Sequence, residues 1–232
     1  QPSDQDLTLL RDGLAAEVVL GLPGATIDQV CAPGSTVLYM GPDPKEELSV
    51  LYIRLKHAAQ EDGVQIIELS PAASGLSPYA SSSLHYRPAD LPKLVEALLA
   101  GELPDQGLPG IDAAEFTKAS QALLAAEQNL HVVIGRANLA ESADCVAVAA
   151  SAVHQAVPGA TFLSALRRAN LRGALEAGLT PGMLPGRSSL AEHGQAWKEL
   201  WGSVPSTAGM DTTQILQAAA ASKIDVLILL GA

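Results

Sequence analysis

A short acidic turn, Gly41-Pro42-Asp43-Pro44, carries the first side chain of the sequence that could do chemistry at a site. It follows an apolar run and precedes a stretch with helical spacing. Ligands of parallel α/β sheets bind beyond the carboxyl ends of the strands, so the Asp43 carboxylate could face a bound molecule. An aspartate in a proline-rich turn can equally cap the helix that follows it. The residues alone leave both roles open.

The glycine-rich stretch from Gly182 to Ser188 differs from a phosphate-binding loop. Such a loop has four residues between its glycines and then a lysine, whereas Gly182 and Gly186 enclose three residues and Arg187 follows. The stretch therefore predicts a turn. The sequence has no G-x-G-x-x-G dinucleotide motif after a strand and no G-x-S-x-G motif of nucleophilic hydrolases. Ser81-Ser82-Ser83, ahead of His85, predicts a polar loop.

Histidines and cysteines lack the spacing of a metal site. No two histidines are four residues apart, and none has ligand spacing with a cysteine or carboxylate. The five histidines are His57, His85, His131, His154 and His193. Cys31 and Cys145 are too few for a four-thiolate iron–sulfur cluster or a disulfide framework. We therefore expect two ordinary thiols and no complete catalytic or metal site.

Composition restricts both the fold class and the partners. The formal net charge is −11 and no lysine/arginine cluster relieves it, which disfavours binding to nucleic acid and to anionic membrane surfaces. Hydrophobic residues make up 48% of the chain but aromatic residues only 3%. A core built from Ala, Leu, Val and Ile is typical of helices packed on a sheet.

The two ends predict an internal, cytoplasmic piece of a longer protein. Residues 1–6 are polar and acidic, without the basic and apolar regions of a signal peptide, and no apolar run approaches a membrane span. There is no initiator methionine, and Val226–Ala232 resembles a buried strand cut at its exit turn. We therefore expect a soluble fragment excised from a larger polypeptide.

Apolar β-branched runs predict five strands. Three of these runs end in glycine, at Val37–Gly41, His131–Gly135 and Val226–Gly231. Two further strands are expected at Val64–Leu69 and Ala15–Leu20. Strands that alternate with helices form a mainly parallel sheet covered by helices on both faces, which is a three-layer α/β fold.

Helical spacing of Leu and Ala predicts the elements between the strands. The expected helices are Glu46–Gln60, Leu91–Leu99, Ala113–Gln128, Glu141–Gln155, Leu190–Trp201 and Asp211–Ser222. Asp112 and Asp211 stand where a carboxylate can cap the following helix, so we assign both a structural role. Ligand-facing residues should then lie in the turns after Gly41, Leu69, Gly135 and Gly231.

Several segments, taken in order, share a pattern with a known family. Val37–Pro44 has the form of a strand followed by a Gly-x-Asn/Asp-Pro turn, and Gln65–Pro71 that of a strand leading to an Asp-Pro-Arg motif. His131–Gly135 precedes a long helix, and Asn170–Gly178 contains Asn-x-x-Gly. With Leu184-Pro185-Gly186 and the last strand, they resemble the molybdopterin oxidoreductase family over nearly the whole chain. This family includes formate dehydrogenases and a non-catalytic relative in respiratory complex I, the NADH-quinone oxidoreductase.

The resemblance implies two interleaved lobes. Residues 63–169 would form an inserted, dinucleotide-fold-like domain, and residues 1–62 and 170–232 one discontinuous α/β lobe. It also implies a vestigial cofactor-binding edge, whose positions would be Gly41, Asp43, Ser70, Gly135, Asn170 and Gly173. Ser70-Pro71-Ala72 replaces the family's Asp-Pro-Arg, which removes a carboxylate and a guanidinium that could hold a guanine, ribose or phosphate. This departure argues against pterin binding.

Three functions remain open. The first is a structural and assembly region of the peripheral arm of NADH-quinone oxidoreductase, at the inner face of the cell membrane. Its partners would be the other peripheral-arm subunits, and electrons would pass through iron–sulfur clusters outside this fragment. The second is the cofactor-binding region of a molybdopterin enzyme such as a formate dehydrogenase. The third is an unrelated sugar- or nucleotide-binding α/β domain.

Overall fold

The structure is a computed structural model that describes residues 21–138, 140–165, 171–210 and 212–228. The chain divides into two compact units, with the boundary between residues 169 and 170. The first unit contains a five-stranded parallel sheet and its covering helices. The described part of the second contains three α-helices and a two-stranded antiparallel hairpin. The predicted α/β class is confirmed.

The parallel sheet has the strand order β3-β2-β1-β4-β5. Its strands are β1 (Thr36–Met40), β2 (Gln65–Ser70), β3 (Ser82–His85), β4 (Leu130–Ile134) and β5 (Thr161–Ser164). In the central strand β1, Tyr39 lies opposite Glu68 of β2 on one side and Val133 of β4 on the other. All five residues of β1 are buried. The continuous apolar run fits this position, because a central parallel strand is covered on both faces.

Helices cover both faces of the sheet. Within the described residues, the α-helices of the first unit are α1 (Ile27–Val30), α2 (Pro44–Glu47), α3 (Ser49–Glu61), α4 (Leu91–Ala100), α5 (Ala113–Ala125) and α6 (Ala143–Ala156). Leu38 and Met40 of β1 pack in one apolar cluster with α4, α5 and α6. Val37 and Tyr39 point to the opposite face and pack with α1 and α3. Alternate residues of one strand thus pack into two separate cores, one on each face of the sheet. This is the arrangement of a three-layer fold, with helices on both sides of a sheet.

The second unit is small. It contains α7 (Leu171–Glu176), β6 (Met183–Leu184), β7 (Ser188–Ser189), α8 (Leu190–Trp201) and α9 (Thr212–Ala220). The predicted turn at Gly182–Ser188 is confirmed as the hairpin between β6 and β7. Gly178 has a φ of +75°, and a Cβ there would lie 2.6 Å from the Leu184 carbonyl carbon. Only glycine combines this backbone angle with such a close approach.

Most predicted elements are confirmed to within a few residues. The helix expected from Glu46 is divided at Leu48, whose φ of −137° lies outside the helical range. Asp112 caps α5 as expected, accepting hydrogen bonds from the backbone amides of Ala114 and Glu115. The strand predicted at Ala15–Leu20 and the cap predicted at Asp211 lie outside the described residues.

Two predictions are wrong. Ser82 and Ser83 belong to strand β3, not to a polar loop, because Ser82 and Leu84 face the interior while β3 pairs with β2 along the sheet edge. The described part of the predicted last strand, Val226–Ile228, is not in a strand, and Val226 and Ile228 are exposed. The sequence pattern also failed to indicate β5, a strand of only four residues.

The predicted division into an inserted domain and a discontinuous lobe stays a prediction. The sheet joins β1, from the segment assigned to the lobe, to β2 and β4, from the segment assigned to the insertion. The compact units have their boundary after residue 169, close to the predicted end of the insertion.

His131 is expected to make the fold sensitive to mild acid. It lies half-buried in β4, where Nδ1 is 2.7 Å from Oγ1 of Thr161, and burial lowers the pKa of its imidazole. The unfolded chain therefore takes up a proton at a higher pH than the folded chain does, so stability falls as the pH drops below about 6.5. Urea midpoints from pH 7.5 to 5 should show this loss, and His131→Gln should reduce it. If the urea midpoint of His131→Gln fell with pH as steeply as that of the unmodified chain, the prediction would be contradicted.

Candidate functional site

The carboxyl edge of the five-stranded sheet is the candidate site. The strand order reverses between β1 and β4, because β2 follows β1 on one side while β4 returns on the other. Open α/β sheets bind ligands at this kind of crevice. The structure places Gly41 and Asp43 after β1, Gly135 after β4, and Ser70 as the last residue of β2. These four predicted positions lie at one edge, as the parallel topology requires.

Asp43 engages both of its carboxylate oxygens within the chain. Oδ1 accepts a hydrogen bond from the amide of Lys45 at 2.9 Å, which caps α2. Oδ2 accepts one from the amide of Gly75, 32 residues away, at 3.0 Å. A Cβ at Gly75 would lie 2.5 Å from Cβ of Lys45, so the two turns pack closely. The capping role of Asp43 is therefore confirmed, and it also ties the turn after β1 to the turn after β2.

Glu68 is a buried acid at this edge that was not among the predicted positions. Its side chain is fully buried in β2 and accepts hydrogen bonds from the hydroxyls of Ser74 and Ser83, the latter at 2.6 Å. One oxygen thus fixes the turn after β2 and the other fixes strand β3. The sequence did contain a signal for this residue, because Glu68 is the one charged residue within the apolar run Ile66–Leu69.

Tyr39 completes the contacts beneath the turn after β1. Its hydroxyl donates a hydrogen bond to the carbonyl oxygen of Pro42 at 2.6 Å, and its ring lies where a side chain at Gly41 would be, 3.2 Å from the Cβ position. Burial raises the pKa of the Tyr39 phenol, and the carboxylates of Glu68 and Asp43 raise it further. The phenol is therefore held in its neutral, hydrogen-bond-donating form.

Gly135 lies in the crevice at the strand-order reversal. Its amide donates to the Met40 carbonyl at 2.8 Å, which continues the β1–β4 pairing by one residue. A Cβ at Gly135 would lie 3.0 Å from the Ala165 carbonyl oxygen and 3.2 Å from Cδ of Pro42. The space beside Gly135 is therefore occupied by the turns after β1 and β5, and glycine is needed for that packing.

The remaining predicted positions are less informative. Ser70 is buried, and its carbonyl accepts a hydrogen bond from the amide of Tyr86 at 3.2 Å. Asn170 lies outside the described residues. Gly173 lies in helix α7 of the second unit, where its carbonyl accepts from the amide of Ala177 at 2.9 Å. The cofactor-binding role predicted for Gly173 stays a prediction.

A second buried acid, Glu141, lies just before helix α6. Its carbonyl oxygen accepts from Nε of Arg136 at 2.9 Å. Its carboxylate is fully buried and, within the part of the chain that the structure describes, neither oxygen meets the geometry of a hydrogen bond. The carboxylate lies close enough to Tyr86 and Cys145 to raise the pKa of both, although burial is the larger cause at each.

Charged side chains of both signs lie at this edge. Asp43, Glu68 and Glu141 place three carboxylates at or beneath the turns, and Lys45 and Arg136 stand in the sequence beside Asp43 and Gly135. The described residues contain no group of three His, Cys, Asp or Glu that could hold a metal ion. Among the helices described, none is long and apolar enough to cross a membrane.

Comparison with known proteins gives a consistent set of relatives, although no family model matches the chain. The G subunit of the NADH-quinone oxidoreductase of Streptomyces coelicolor is 31% identical over 202 residues, which cover 84% of this chain and 22% of that protein. The corresponding G subunit of Mycobacterium tuberculosis is 29% identical with the same coverage. The alpha subunit of the NADPH-Fe(3+) oxidoreductase of Geobacter sulfurreducens is 26% identical over 92% of this chain and 29% of its own length.

A solved structure shares the fold. The formyltransferase/hydrolase complex of Methylorubrum extorquens superposes with a TM-score of 0.55 at 17% identity, covering 96% of this chain and 58% of that chain. This likeness supports the α/β fold alone. The chain spans between about a fifth and three tenths of the curated relatives that it matches. Over most of its length it is homologous to part of the G subunit of NADH-quinone oxidoreductases, which confirms the resemblance to the complex I relative.

Proposed function

We propose that this chain is a structural and assembly lobe of the peripheral arm of an NADH-quinone oxidoreductase. The observation that carries the proposal is that the acidic side chains at the carboxyl edge of the sheet bind other parts of the same chain. The Asp43 carboxylate is used by two backbone amides and the Glu68 carboxylate by two serine hydroxyls. These two carboxylates join the turns after β1 and β2 and strand β3 to one another.

Electron transfer is then assigned to other parts of the parent protein. Cys31 and Cys145 are too few to hold an iron–sulfur cluster, and the former is buried in the core. The curated relatives carry at least 70% of their length outside the matched region. We place the clusters there, and we place the contacts to other peripheral-arm subunits on the surface of the assembled protein at the inner face of the cell membrane.

The first experiment is metal analysis of the full-length parent protein purified from its native host. We expect iron, NADH-quinone oxidoreductase activity in the same fractions, and no stoichiometric molybdenum or pterin fluorescence. The reason is that the carboxylates of Asp43, Glu68 and Glu141 at this edge would repel the phosphates of a cofactor. A molybdenum enzyme from the same culture serves as the control for metal supply. One molybdenum per polypeptide would contradict the proposal and favour the formate dehydrogenase-like alternative.

A second candidate is a subunit of an NADPH-dependent ferric reductase. It is supported by the Geobacter relative, which aligns with more of this chain than the G subunits do, at lower identity. The same purified protein separates the two candidates. Reduction of quinone by NADH supports the first, and reduction of Fe(III) by NADPH without quinone reduction supports the second.

A further inference from the structure

The second unit has almost no core of its own. Among its described residues, Leu184 is the one apolar side chain that is buried, whereas the first unit buries two large apolar clusters. Its exposed large apolar residues are Leu179, Leu200, Trp201, Met210, Leu216 and Val226–Ile228. A unit of about 60 residues normally buries about 60% of the surface that its unfolded chain exposes. Apolar surface on this scale therefore indicates a contact.

Helix α8 shows how this surface is organised. At 100° per residue, Leu190, Trp197 and Trp201 fall within about 40° of one another, and Leu200 lies beside them. The rings of Trp197 and Trp201 touch edge to face, with centroids 4.5 Å apart. Glu192 and Glu199 lie on the opposite side of the helix. Leu200 is 73% exposed and Trp201 is 53% exposed.

Leaving this face in water is costly. Burying a side chain the size of leucine is worth about 1.5–3 kcal/mol, and large contiguous apolar patches are rare on monomeric proteins. The face of α8 that carries Leu200 and Trp201 has an aliphatic and an aromatic group side by side, the composition of an interface core. One edge of this face is charged, because Lys198 lies beside Trp201 around the helix.

We propose that the Leu200–Trp201 face of α8 docks against another part of the same, longer polypeptide, outside these 232 residues. The curated relatives are about three to four times as long as this chain, and the proposal takes the occupant from that additional length. A covalently connected segment on a short linker has an effective concentration in about the millimolar range, which favours its binding over that of a separate subunit. The proposal rests on the length of the relatives and on this exposed face, and it holds whether or not the proposed function does.

Cysteine labelling of the full-length polypeptide tests whether the face is covered. The variant Leu200→Cys probes the apolar face, and Glu199→Cys, one residue away on the polar face, is the matched control. The labelled peptides are separated by mass spectrometry, so other cysteines do not interfere. In the isolated full-length polypeptide we expect maleimide to label Cys at 200 about tenfold or more slowly than Cys at 199, because the docked face must open first.

Photocrosslinking identifies the occupant. Trp201→p-benzoylphenylalanine keeps a large aromatic group at the contact and should crosslink, within one polypeptide, to a peptide outside residues 1–232. Labelling at 200 as fast as at 199 would overturn the proposal. So would a crosslink to residues 1–169, to another subunit, or to a second copy with protection that depends on concentration.

Discussion

Raising the pH above about 10 is expected to unfold the first unit, because two of its four tyrosines are buried as neutral phenols. Burial is the main cause that raises the pKa of both Tyr39 and Tyr86, and neighbouring carboxylates raise it further. The unfolded chain therefore releases these protons first, and stability falls as the pH rises through the ordinary phenol range. Each tyrosine lowers the free energy of unfolding by about 1.4 kcal/mol per pH unit until its folded pKa is reached.

Urea unfolding of the 232-residue chain between pH 8 and about 11.5, under reducing conditions, measures this loss. Tyr39→Phe and Tyr86→Phe should each change the urea midpoint at neutral pH. Each should also make the fall of that midpoint with rising pH shallower. Tyr79→Phe is the control, because the neighbouring Lys56 ammonium lowers the pKa of that surface phenol. A decline of equal slope in all three variants would show that other groups cause it.

The parts of the fold that the sequence predicted are those in which local pattern and tertiary environment agree. Strands β1, β2 and β4 are continuous apolar runs because both of their faces are covered, so their pattern is visible without neighbours. Strand β3 was missed because it holds two serines, and its identity as a strand depends on pairing with β2. The run Val226–Ile228 has strand-like composition, yet its described residues have no strand beside them.

The candidate site was predictable in its location but not in its chemistry. Parallel topology alone brings Gly41, Asp43, Ser70 and Gly135 to one edge. The use of the Asp43 oxygens depends on where the Gly75 amide lies, 32 residues along the chain. Likewise, the partners of Glu68 are serines 6 and 15 residues away. No local spacing encodes these contacts, because they form only when the turns after β1 and β2 and strand β3 are packed.

The two buried glutamates are expected to respond very differently to removal. Glu68→Ala should lower the free energy of unfolding by about 3 kcal/mol, because it breaks two hydrogen bonds to the carboxylate and leaves two half-buried serine hydroxyls without their acceptor. Glu141→Ala deletes the same atoms at an equally buried position. Among the described residues its carboxylate oxygens do not reach full hydrogen-bond geometry, and its polar neighbours are the Tyr86 phenol and the Cys145 thiol, so we expect a smaller loss than in Glu68→Ala.

Urea denaturation at pH 7 compares the two variants, and Ser83→Ala reports one hydrogen bond of Glu68 separately. A loss in Glu68→Ala no larger than that in Glu141→Ala would show that the serine contacts contribute little. The expected order of these two losses of stability also bears on the proposed function. If Glu68 and Asp43 hold the turns of this edge together, substituting either should loosen the edge at which cofactor-binding α/β folds place their ligand. The contacts between the turns of this edge would then be maintained by the same side chains that stabilise the lobe.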